Sequence, residues 1–107
     1  MTEQVDPAVQ AVLDAANAGD LDAFLAGFTP DGVVDDWGRE FHGNARIAEW
    51  SDAEFIGVQV SLRVTEVSEH DGEVVVAAQV GGNGFNGPSH FAFRVEGDRV
   101  SRMTIRA

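Results

Sequence analysis

The hydrophobic period changes once along this chain, and that change limits the folds open to it. Before residue 58, apolar residues recur three and four positions apart. Val9, Val12, Leu13 and Ala16 form one stripe, and Leu21, Phe24 and Leu25 form another. From Val58 onward the period is two. Val58, Val60, Leu62 and Val64 alternate with Gln59, Ser61, Arg63 and Thr65. Successive side chains on a strand point to opposite faces, so this pattern predicts a sheet with one buried face. Helices first and strands last is the order of an α+β domain. With 107 residues, a single domain over 1–107 is expected.

Local signals sharpen the outline. Asp6 and Pro7 suit the N-cap and first turn of a helix that Gly19 stops. Asp20 caps a second, shorter helix that Gly27 ends. Thr29-Pro30-Asp31-Gly32 reads as a turn, Val33 to Trp37 as a short strand, and Arg39 to His42 as a return strand or loop. A third helix carries Ile47 and Trp50 and runs to about Ala53. The alternation slips at Glu66-Val67, which predicts a β-bulge. His70-Asp71-Gly72 is a hairpin turn. Strands are expected at Glu73–Val80, Ser89–Glu96 and Arg99–Arg106, with a glycine-rich loop from Gly81 to Pro88. The apolar face of a long, bulged, antiparallel sheet must be covered. Three modest helices cover one face of a curved sheet and leave a cone with a pocket between the layers.

Composition excludes several functions. Seven Lys and Arg against 18 Asp and Glu give a formal net charge of −11. Such a surface does not neutralise phosphates, so nucleic acid and anionic membranes are not expected partners. Cysteine is absent, which removes disulfides, thiolate catalysis and Cys-ligated metal. The three histidines are scattered, with no i,i+4 pair, so no metal is expected; the glycine-rich loop lacks the strand–loop–helix context of a phosphate cradle, and no cofactor is expected either. No apolar stretch approaches the roughly 20 residues of a membrane span. Met1 to Asp6 is acidic and lacks the features of a signal peptide, so a cytoplasmic location is expected.

The run Asn17-Ala18-Gly19-Asp20-Leu21-Asp22, then Phe28, Asp31 to Asp36, Gly43 and Ile47, resembles the NTF2-like superfamily. Within it, the chain looks most like the SnoaL-like and ketosteroid-isomerase-like branch. The resemblance covers nearly the whole chain. It implies three N-terminal helices packed on a curved, bulged, mostly antiparallel sheet, and commonly a homodimer. The fold hosts isomerases, cyclases and non-enzymatic binders, so it does not name one activity.

The resemblance also carries over residue by residue. The general base of the steroid isomerases, a carboxylate at the end of the first strand, falls on Asp36. Their first-helix tyrosine, an oxyanion donor, falls on Val12. Their second donor, a protonated Asp before a His-Phe-x-Phe strand, falls on Ser89, in Ser89-His90-Phe91-Ala92-Phe93. The chain has no tyrosine at all. Losing one oxyanion donor typically costs about 10²–10³ in rate, so the family's best-known reaction is not expected here.

The expected function is therefore a small-molecule pocket protein. As an isomerase- or cyclase-type enzyme it would use Asp36 as general base on an apolar substrate, with His42 or Ser89 assisting. The alternative is a non-catalytic module that binds an apolar ligand or dimerises. The expected pocket lining is Val12, Phe24, Phe28, Val34, Trp50, Phe91 and Phe93. Strand alternation turns Asp35 to the opposite face, where exposure is expected, and Trp37 with it. Arg46 is expected to pair with nearby carboxylates, and His70 and His90 to face away from the pocket.

Overall fold

A computed structural model describes residues 5–106. Residues 1–4, which belong to the acidic N-terminal segment, lie outside the described residues. Helix α1 spans Pro7–Ala18 and α2 spans Leu21–Ala26. Strands β1 (Phe28–Asp36) and β2 (Arg39–His42) form a hairpin that leads into α3 (Gly43–Glu54). A short 3₁₀ turn, Ile56–Val58, precedes β3 (Ser61–His70), β4 (Glu73–Gly81), β5 (Gly87–Glu96) and β6 (Arg99–Arg106). Two helices thus precede the sheet, and the third enters after its first hairpin.

The helix starts follow from their caps. The Asp6 carboxylate accepts from the Ala8 N–H at 2.9 Å, and Pro7 occupies the first turn. Gly19 ends α1 at φ 70°, the left-handed backbone that glycine adopts without strain. Asp20 caps α2 by accepting from the Ala23 N–H at 3.1 Å. The buried stripe of α1, including Val9, Val12 and Leu13, then lies against the sheet.

The six strands form one open sheet in the order β2-β1-β6-β5-β4-β3. Every neighbouring pair is antiparallel except β1 and β6, which run parallel. The β3–β4 register shifts between Val64 and Glu66. Val74, Val76, Ala78 and Val80 share the buried face of β4, as their alternation requires.

Three local readings need correction. Thr29 to Gly32 is no separate turn but an irregular stretch inside β1. The β1–β6 register shifts between Phe28 and Val33, where five steps on β1 face two on β6. Pro30 has no N–H for a ladder, and the fold-back is tight. A Cβ on Gly32 would lie 3.1 Å from the Thr29 carbonyl oxygen. Val58 belongs to the 3₁₀ turn, and β3 begins only at Ser61, because Gln59 takes a left-handed φ of 58°. The glycine-rich loop is also shorter than its composition suggests, since β4 continues to Gly81 and β5 starts at Gly87.

Asn17 ties the layers together. Its amide nitrogen donates to the Leu62 carbonyl at 3.0 Å, and its oxygen accepts from the Leu62 N–H at 2.6 Å. This pair of bonds gives the Asn of the Asn17–Asp22 run a structural role, docking the end of α1 on β3. Asn17→Ala removes both bonds, and a loss of about 1–3 kcal/mol is expected in urea unfolding. An unchanged midpoint would show that water replaces the amide at no cost.

Candidate functional site

The apolar interior divides in two at Phe55. Behind it, Phe24 meets Phe28 edge-on at a ring-centroid distance of 5.2 Å, and Phe55 at 5.6 Å. In front of it, the Phe55 ring stacks on Trp50 at 4.8 Å and lies 6.4 Å from Phe91. The rear half is closed to solvent, with Phe24 and Phe28 at most 2 % exposed. The front half holds a cavity of about 350 Å³, with Trp50, Phe55, Ser89 and Phe91 in its wall. Trp37 and Phe85, each 59 % exposed, form its outer edge.

Asp36 reaches this cavity because Val34 and Asp36 share the inner face of β1. Its carboxylate is held on one side only. Oδ2 accepts from the Trp50 indole N–H at 3.0 Å and from Arg39 Nη2 at 2.6 Å. Oδ1 has no hydrogen-bond partner among the described residues. Arg39 also grips Glu54 with both guanidinium nitrogens, at 2.9 and 2.7 Å. The result is a carboxylate–guanidinium–carboxylate bridge from the end of β1 to the end of α3. That bridge lowers the Glu54 pKa from its ordinary value, chiefly through the Arg39 hydrogen bond, and raises that of Arg39. Ser89 is only 4 % exposed, lines the same cavity, and makes no side-chain hydrogen bond with the described residues.

The structure thus brings together Asp36, Ser89, Trp50 and Phe91 of the expected site. It does not bring His42. Along β2, Phe41 turns inward, with its ring 6.1 Å from Trp50, so the next residue must turn out. His42 Nε2 lies 2.9 Å from the Glu40 carboxylate on the outer surface. Five expected pocket residues are core instead. Phe24, Phe28, Val34 and Phe93 are at most 2 % exposed and do not line the cavity. Val12 packs on Gly27, where an added Cβ would come within 2.7 Å of its Cγ2. The front wall uses residues that sequence reasoning passed over, above all Phe55, Phe85, Glu54 and Trp37. The one available signal was Phe85, a lone aromatic in a run of glycine and asparagine.

Asp35 does face away from the cavity, but it is not exposed. It is 6 % exposed, because Arg102 and Arg106 fold over it from β6 at 2.8 and 3.1 Å. The Gly38 N–H also donates to it at 2.8 Å. The Arg106 hydrogen bond, opposed by desolvation and aided by Gly38 and Arg102, holds its pKa below the ordinary 3.8. A lowered folded pKa stabilises the native state above the unfolded value. That contribution is lost as pH falls through the folded value. Asp35→Asn is therefore expected to cost about 1.5–3 kcal/mol at pH 7, by urea unfolding, with the difference shrinking below about pH 4. A difference independent of pH would mean that packing, not charge, holds Asp35. Trp37 leaves the Asp35 face because it sits in the β1–β2 turn at φ 55°, not on the strand.

No helix among the described residues is long and apolar enough to cross a membrane. No group of three His, Asp or Glu among them is arranged to hold a metal ion.

A helix-covered, mostly antiparallel sheet enclosing a lateral cavity, with an aspartate at the end of its first strand, defines an NTF2-like pocket protein. Comparison narrows the class. The SnoaL-like domain family matches residues 9–103, and the chain belongs to that family. No curated protein matches the sequence. Among solved structures, a proposed polyketide cyclase from Sinorhizobium meliloti is 24 % identical, with 95 % of each chain covered and a TM-score of 0.83. A protein with a ketosteroid isomerase-like fold from Catenulispora acidiphila, solved in complex with trimethylamine, is 21 % identical. The match covers 97 % of this chain and 87 % of that one, with a TM-score of 0.80. A computationally designed 17-OHP binder is 17 % identical, with 98 % and 92 % covered and a TM-score of 0.80. At these identities the likeness establishes the fold alone.

Proposed function

We propose that the protein binds a small, largely apolar molecule in the cavity and moves a proton on it through Asp36. The observation that carries this reading is the one-sided hold on the Asp36 carboxylate. Trp50 and Arg39 engage Oδ2, while Oδ1 has no hydrogen-bond partner among the described residues, in a side chain that lines the aromatic cavity; a carboxylate oxygen so left over is the candidate base. In an isomerisation, Oδ1 would remove a proton from carbon beside a carbonyl and return it to another carbon of the same substrate. The Ser89 hydroxyl is the candidate donor to the oxygen that becomes negative. Solved relatives bound to a small amine or designed for a steroid are consistent with small-molecule binding by this architecture.

A non-catalytic binder is the second reading, and the thin donor supply favours it. Ser89 is the sole hydroxyl in the cavity wall among the described residues, and Val12 is apolar and packed elsewhere. Deuterium wash-in separates the two. Cyclic ketones are incubated with the protein in D₂O and followed by NMR, with Asp36→Asn as control. Exchange that depends on Asp36 supports catalysis. Binding without exchange supports the second reading. The outer sheet face, with Gln79, His90 and Arg94 exposed, is the surface proposed for pairing two chains.

A further inference from the structure

We propose that the cavity selects an organic cation, a small ammonium compound carrying apolar groups, over a neutral molecule of the same shape. The inference rests on the reading that the cavity is a small-molecule site. It goes further by naming the charge of the occupant.

The first mark of a cation site is the sign of the wall. Asp36 and Glu54 both line the cavity, while no Lys, Arg or His side chain does. The second is the nature of the remaining surface. Five aromatic side chains share that wall: Trp37, Trp50, Phe55, Phe85 and Phe91. Aromatic faces carry negative partial charge and attract cations, tryptophan most strongly. The third is Ser89, nine-tenths buried in the same wall, whose oxygen has lone pairs to offer and no partner among the described residues. A neutral hydrocarbon would pack on the rings but leave both carboxylates and the Ser89 oxygen unused.

Arg39 marks where the cation belongs. Its guanidinium already sits between the two carboxylates, within 2.9 Å of both. Together the three groups sum to one negative charge. Yet Arg39 does not line the cavity, and its side chain is 53 % exposed. The outer side of that bridge is open to water, so Arg39 can exchange its partners for solvent while Trp50 still holds Asp36 Oδ2. A cation entering past Trp37 and Phe85 would contact the same carboxylates from within, and would compete with Arg39 for them. The net charge of −11 draws such a molecule in. The volume of about 350 Å³ lies within the range of small-molecule sites.

Two probes of matched shape test this: benzyltrimethylammonium and its uncharged counterpart neopentylbenzene. Binding is read by the fluorescence of the two tryptophans, both in the cavity wall, and by calorimetry. The expected result is that the cation binds about tenfold tighter than the neutral probe. Glu54→Gln should remove most of that preference; the Glu54 side chain is 43 % exposed, and an unchanged urea midpoint checks that the variant folds. Arg39→Gln should tighten the cation several-fold and change the neutral probe by a much smaller factor. Equal binding of both probes would overturn the cation preference and leave the pocket reading intact. Failure of both probes to bind, in the wild type and in Arg39→Gln, would overturn both.

Discussion

Asp36→Asn is expected to slow proton exchange on a responsive ketone by about 10²–10⁴-fold, with affinity for that ketone changed only a few-fold. The reason lies in the two oxygens of the carboxylate. Asn keeps a carbonyl oxygen that can accept from Trp50 and Arg39, as Oδ2 does now. What it lacks is a second oxygen able to take a proton. The substitution therefore removes the chemistry while keeping the local geometry. An unchanged exchange rate would reject Asp36 as the base. Equal losses of rate and affinity would make it a binding anchor instead.

Phe24→Ala is expected to cost about 3–5 kcal/mol, a large share of the roughly 5–15 kcal/mol that holds a domain of this size. Phe24 is fully buried and touches both Phe28 and Phe55. It supports the partition between the packed rear and the open front. Truncation leaves a void that α2, only six residues long, has few contacts to close. Urea unfolding measures the loss. The same variant should also loosen Phe55, so ligand affinity should fall in molecules that remain folded. A cost below about 1 kcal/mol would mean that the rear half repacks freely.

The parts of the fold that local chemistry decides were legible in the sequence. Asp6-Pro7, Gly19 and Asp20 bound the first two helices because their caps act within a few residues. The alternation of Val74, Val76, Ala78 and Val80 placed β4 and its buried face without outside information. The site was legible in part. Asp36 and Ser89 reach the cavity because strand parity and family resemblance agree on them. The place of His42, outside the cavity beside Glu40, was not legible for want of parity. Once Phe41 packs on Trp50, its neighbour must point outward, and a short strand gives too few residues to read which of the two turns in. The Asp36–Arg39–Glu54 bridge was hidden for another reason. Its members come from the end of a strand, a hairpin and the end of a helix, with no spacing that links them. The border between packed core and cavity was hidden as well. Val12, Phe24 and Phe28 are as apolar as Trp50 and Phe91, and only the position of Phe55 separates the two sets. Thr29-Pro30-Asp31-Gly32 has every mark of a turn, yet pairing on both sides of it draws it into a strand.

The parallel β1–β6 pair bears on the order in which the molecule can be assembled. Asp36 stands in register with Ile105. The first hairpin leaves the ribosome well before β6, the strand that pairs with β1 on its other side. The edge of β1 stays unpaired through synthesis of everything between, a template for wrong partners until β6 arrives. Pairings so distant along the chain also slow folding, because the intervening loop must close before any contact rewards it. The cavity wall spans both strands, with Asp36 on one and Ile105 on the other. A nascent chain can therefore hold its helices and the β3–β4 hairpin, yet the cavity wall stays incomplete until β6 docks.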